Sequence, residues 1–125
     1  MAAHGWDKLQ GGVDGFAEGA LAGLGVPAPL VVAWLVTVVE LGGGIALVLG
    51  VLTRLAAAAN ALVLVGAIAL VKVDVGLIAE EGAGAELDLA LLAGLVAVLL
   101  LGPGRPSVDH AVGVEEAVPE LAARR

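Results

Sequence analysis

Residues 36–50 read VTVVELGGGIALVLG, an apolar run interrupted by one carboxylate, Glu40. Extended to Leu30 on one side and Leu52 on the other, the run is long enough, at about 1.5 Å per residue, to cross the roughly 30 Å hydrocarbon core of a bilayer. Glu40 then lies ten residues into the helix, about 15 Å from either face. An ionised carboxylate facing lipid at that depth is costly, so it must turn toward other helices and find a partner, or stay protonated. The stretch therefore predicts a bundle and not a lone helix.

Composition agrees. The chain has 125 residues, of which 60% are hydrophobic, and a mean hydropathy of +1.04, against roughly 45–50% apolar content in soluble domains. Aromatic residues make up only 2%, so helix packing must rest on small residues that let backbones approach closely. The absence of cysteine excludes disulfides, thiolate metal sites and iron–sulfur ligation. A net charge of −7, with six scattered basic residues, argues against nucleic acid, whose binding requires phosphate neutralisation.

Three stretches read as spans: about 30–52, 55–73 and 85–101. Pro27 and Pro29 precede the first, where a missing N–H costs nothing, Thr53 and Arg54 form a tight turn into the second, and GPGRP at 102–106 stops the third. The fold class is all-α: one integral membrane helical bundle over residues 1–125, with three transmembrane helices and a short polar tail at 110–125. Residues 13–24 (VDGFAEGALAGL) read as an interfacial or re-entrant segment, and no cleavable signal peptide is expected at the start. Arg54, Arg105, Arg124 and Arg125 fall on one side and only Lys8 and Lys72 on the other. The positive-inside rule then predicts a multi-pass protein of the cytoplasmic membrane with its carboxyl terminus in the cytoplasm.

The same topology gathers polar groups on the side opposite the arginines. Lys72, Glu86, Asp88, His4 and Lys8 all fall on that side as candidate partners for Glu40, and a pocket lined by His4, Lys8, Lys72 and Glu86 can reach down to it, while Arg54, about 21 Å further along the axis, cannot be its partner. Thr37 offers a local hydroxyl one turn earlier. Glu40 is then a proton carrier or ligand hydrogen-bonding group, or, on the plainer reading, interhelical glue. Gly42, Ala46 and Gly50, echoed by Ala58, Leu62 and Gly66, predict smooth helix faces for close packing; Asn60 reads as an interhelical contact, and Lys72 as a pocket group or a snorkelling helix end. No metal or bis-histidine haem site is expected, since His4 and His110 are the only histidines, Met1 is the only methionine, and the topology puts the two imidazoles on opposite sides. LGGGIALVLG lacks the strand and following acidic residue of a dinucleotide site. SVDH at 107–110 is a helix-capping segment and not a catalytic triad.

Several elements in order then resemble the DoxX family: HGWDKL at 4–9, GVPAPL at 25–30, VELGGGIALVLGVLTRLAA at 39–57, GAELDLALL at 84–92 and LGPGRPSVD at 101–109. The resemblance implies a four-helix membrane bundle whose first helix ends at the HG…K element, so that most of that helix would be missing here. It carries Glu40 onto the family's intramembrane Glu, Arg54 onto its post-helix Arg, and Glu86 onto the acidic residue opening its last helix. Lys72 departs from the family pattern, which commonly has His followed by an Asn-Gly-Phe-like stretch. The resemblance implies an accessory or anchoring subunit linked to quinone oxidoreduction, with quinone as the compatible cofactor, none bound covalently, and a second redox subunit or another copy of the chain as partner. The alternative is a non-catalytic membrane scaffold or permeation protein.

Overall fold

The computed structural model describes residues 1–79 and 84–114. Its elements are α1 (Ala2–Gly11), α2 (Val13–Phe16) continued by a π-helical turn at Ala17–Leu21, α3 (Pro29–Leu49), α4 (Thr53–Ala67) continued by a π-helical turn at Ile68–Lys72, the single turn α5 (Val73–Val75), α6 (Ala85–Leu101) and α7 (Val108–Ala111). Among the described residues there is no strand. The chain is an all-helical bundle.

Pro29 opens α3 at its first turn, where its fixed φ suits the helix and its missing N–H has no intrahelical partner to lose. Gly50 closes it in the left-handed conformation, φ 67°, which a residue without Cβ adopts at little cost. The reversal is Gly50-Val51-Leu52, so Thr53 and Arg54, expected as the turn, form the first turn of α4 instead. The buried residues of α3 are Ala33, Thr37, Glu40 and Gly44, the spacing of one helical stripe. Those of α4 are Thr53, Ala56, Ala57, Asn60 and Leu64.

Both long helices, Pro29–Leu49 and Thr53–Lys72, have the length and apolarity to cross a membrane. Only 22% of each apolar window is buried. The core helix of a soluble protein would hide most of that surface, so these faces are suited to lipid. Ala85–Leu101 occupies the third expected span and, at 17 residues, rises about 25 Å. It is apolar nearly all round, with Leu95 its one buried residue. Trp6 and Trp34 are both about half exposed, as amphipathic rings at an interface are.

Residues 13–24, expected as an interfacial or re-entrant segment, fold against α3. Val13, Ala17 and Leu21 are buried against Ala33 of α3, with Phe16, Val26 and Val32 packed around them. The segment is a roof folded onto the first half of α3, because its apolar residues recur every four positions and its polar ones, Asp14 and Glu18, point away. A second core joins Ala57 and Leu64 of α4 to Leu95 of α6, with Met1 and Leu47 against it.

The glycine faces also differ from expectation. A Cβ on Gly42 would meet open space. The close approaches fall one and two residues on: Gly43 lies against the Asn60 amide, and Gly44 against the backbone of Ala2. Gly5 of α1 lies against the Leu41 backbone, so α1 and α3 are joined almost backbone to backbone. Gly50 caps its helix beside Ser107 instead of continuing a face. On α4 the packed stripe is shifted from Ala58, Leu62 and Gly66, which lie on the exposed or open side. Four-residue spacing alone does not say which of several adjacent small residues meets the neighbour.

Candidate functional site: an ion pair at the base of an apolar cavity

Glu40 is 6% exposed, held on the inner stripe of α3. Lys8, on the last turn of α1, donates from Nζ to Glu40 Oε2 at 2.6 Å. The pairing depends on the α1–α3 contact, which Gly5 permits by bringing the two backbones together. The Lys8 ammonium also lies 5.2 Å from the centre of the Phe16 ring in the roof segment, within cation–π range. Thr37 does not serve Glu40; its hydroxyl donates at 2.8 Å to the Ala33 carbonyl within α3.

Above this pair lies a cavity of about 500 Å³, within the range of small-molecule sites. Its walls are apolar: Phe16, Leu21, Leu24 and Val26 from the roof, Val32 and Val36 from α3, Leu62 to Leu64 and Leu70 to Val71 from α4, and Leu87 and Leu91 from α6. The polar groups reaching it are His4, Lys8, Glu40, Lys72 and Asp88. Four of the five expected pocket residues are therefore brought together. Glu86 is not among them: its side chain is exposed and turns back to accept from the Gly84 N–H at 3.3 Å, capping α6. Asp88 lines the cavity as well. One of its oxygens, Oδ2, is shielded from solvent and has no donor among the described residues.

Arg54 and Asn60 lie outside this cavity. Asn60, fully buried, donates to its own helix at the Ala56 carbonyl, 2.9 Å away, while its Oδ1 finds no donor among the described residues. Arg54 reaches across to the carbonyls of Leu99 and Leu100 at the end of α6, where a cation complements the helix dipole.

The residue that sequence reasoning left without a role is Asp109. Its two carboxylate oxygens accept from the backbone N–H groups of Leu52 and Thr53, each at 2.7 Å. Its own N–H donates to the Gly50 carbonyl at 2.8 Å. Burial pushes the Asp109 carboxyl up, but the donors of Thr53 and Leu52 outweigh burial and hold its pKa below the ordinary carboxylate value. The available signal was the position of Asp109 in SVDH, a cap whose own helix is served by Ser107, which accepts from the His110 N–H at 3.2 Å. The polar tail thus contains a docked helical turn, α7, and not merely an extension. Residues 115–125, with Arg124 and Arg125, and the acidic positions 80–83 lie outside the described residues. His4 lines the cavity while His110 sits on α7, and no group of three His, Cys, Asp or Glu able to hold a metal ion occurs among the described residues.

Two lipid-facing helices of spanning length, packed through glycines around a paired carboxylate, define a helical membrane protein. The family model described as DoxX matches residues 1–73, more than half of the chain, and the chain belongs to that family. It is 38% identical over 106 residues to an uncharacterized membrane protein of Mycobacterium tuberculosis. That alignment covers 78% of this chain and 65% of the relative, so the chain spans a little under two thirds of the relative's length. No solved structure matches.

Proposed function

We propose that this chain is an accessory or anchoring subunit of a quinone-linked oxidoreduction system in the cytoplasmic membrane, binding the ring of a quinone in the cavity above Lys8 and Glu40. The carrying observation is an apolar chamber of about 500 Å³ whose lining includes the Lys8–Glu40 ion pair. Apolar walls with a few convergent polar groups suit a lipophilic ring whose polar atoms must be fixed in orientation. Lys8 has donors beyond the one given to Glu40 and can reach a ligand carbonyl. Glu40 and His4 are placed to accept or return a proton, while Phe16 and the rest of the roof exclude water. When bound, the quinone would supply the two-electron chemistry for which the chain's own residues have no centre. Positive charge at Arg54 and Arg105 supports a cytoplasmic location for that end, with α6 as a third crossing. The redox partner would be a second membrane or membrane-associated subunit, or another copy of this chain.

A non-catalytic scaffold is favoured by a different feature of the same pair: at 2.6 Å, Lys8–Glu40 already ties α1 to α3 without any ligand. Titration of the full chain in lipid nanodiscs with the tailless quinone duroquinone separates the two. Saturable binding that weakens about tenfold in Lys8→Met supports the quinone site. No saturable binding to the wild-type chain, with Lys8→Met affecting only thermal stability, establishes the scaffold.

A further inference from the structure

The short helix α1 lies deep. Lys8 meets Glu40, Gly5 lies against Leu41 and Ala2 against Gly44, so α1 runs antiparallel along the middle of α3. Asp7, between Gly5 and Lys8, is level with Glu40 and Leu41, at least about 12 Å from either end of α3, and Gln10 is about one turn nearer the Pro29 end. Both side chains are exposed, and neither makes a hydrogen bond or ion pair among the described residues. Around them the surface is suited to lipid: every exposed residue of α3 and of α4 is apolar or glycine. A carboxyl group and an amide facing hydrocarbon at this depth are costly unless other protein meets them.

We infer that this face of α1 is a dimer interface within the membrane, covered by a second copy of the chain. Ala3, Asp7 and Gln10 form one exposed stripe at i, i+4 and i+7. It points about 160° away from Gly5, the residue packed on α3; Asp7 stands about 40° to one side of Ala3 and Gln10 about 20° to the other. Two copies inserted in the same orientation are related by a two-fold axis along the bilayer normal. That axis sets α1 parallel to α1 and brings one edge of the stripe against the opposite edge of its copy, as the flanking positions of a parallel coiled coil meet. Asp7 then accepts from the partner's Gln10, the exchange is reciprocal, and the two Asp7 carboxyls stay diagonal to one another. Ala3, small and central, lets the two helices come close. An acceptor on one edge and a donor on the other make the face self-complementary, which is what selects a second copy over a foreign helix. The inference stands apart from what the cavity binds, since neither Asp7 nor Gln10 lines it.

The chain has no cysteine, so single introduced cysteines report proximity directly. In lipid vesicles under oxidising conditions Ala3→Cys is expected to form an intermolecular disulfide, because level positions beside the two-fold axis come within disulfide range. Val38→Cys, on the exposed side of α3, should not. In sedimentation equilibrium of the full chain in detergent the wild type should be a reversible dimer. Asp7→Leu and Gln10→Leu should each weaken it about tenfold, and Asp7→Asn, which keeps an acceptor oxygen, should retain it. Both leucine variants should keep the wild-type circular dichroism, since Gly5 and Lys8 face away from the stripe. A monomeric wild type, a dimer undiminished in both leucine variants, or Val38→Cys cross-linking as readily as Ala3→Cys overturns the interface. A cross-link from Ala3→Cys to a different protein overturns the second copy as its occupant.

Discussion

The two ends of the bundle are built on opposite principles. At the lysine end, α1, the roof, α3 and α4 stand around a cavity of about 500 Å³, and the polar groups there face inward over open space. At the arginine end, the polar groups face backbone. Asp109 caps the start of α4, Arg54 caps the end of α6, and the Asp109 N–H fills the Gly50 carbonyl. One end lines a cavity with charged side chains; the other directs them to the unsatisfied groups of helix termini. The contrast teaches where substitution should alter stability and where it should alter binding.

The largest expected effect is at the closed end. Asp109→Ala leaves the N–H groups of Leu52 and Thr53 without acceptors, and a loss of about 3 kcal/mol is expected, read from unfolding in detergent. The pH dependence follows from the lowered pKa. Because the folded-state value lies below the ordinary 3.8, the stabilisation is fully present above that value and is lost as pH falls through the folded-state pKa. The wild type should therefore lose stability on acidification below about pH 4, and Asp109→Ala should lack that component; an unchanged acid profile would mean that Asp109 is not the group responsible.

At the open end, Gly5→Ala drives a Cβ into the Leu41 backbone nitrogen. Backbone cannot move aside as a side chain can, so about 2 kcal/mol of destabilisation is expected, together with weaker duroquinone binding as Lys8 is drawn from Glu40. Gly42→Ala, at the first position of the glycine run that also carries the contacts of Gly43 and Gly44, should stay within about 0.5 kcal/mol. Equal effects of the two substitutions would mean that α1 does not pack as described. Between these two stands Arg54→Ala, about 1 kcal/mol from lost hydrogen bonds to α6, with no change in duroquinone affinity because Arg54 stands outside the cavity. A change in affinity there would show that the two ends are coupled.

The bundle was legible in the sequence because hydrophobic length and punctuation act locally. Pro29, Gly50 and Gly102 mark helix ends through their own backbone preferences, and Glu40 could be assigned to an inner face because lipid does not accept it. Its partner was legible only as one of several groups on the same side. Selecting Lys8 required the α1–α3 approach at Gly5, a three-dimensional fact. Glu86 and Asp88, two residues apart on one helix, point in directions about 200° apart. The hydropathy around them is uniform, so no stripe in α6 said which would face the cavity. Asp109 was illegible as an α4 cap because its partners, Leu52 and Thr53, are 57 and 56 residues away.

That separation also orders events in time. When α3 and α4 have been synthesised, the first turn of α4 has no acceptor for the Leu52 and Thr53 N–H groups, and none arrives until α6 has been made and Asp109 follows it. The cap therefore closes last, after the chain has returned to the end where α3 turned into α4. Docking of α7 therefore depends on α6: a chain whose α6 has not packed cannot bring Asp109 to the start of α4.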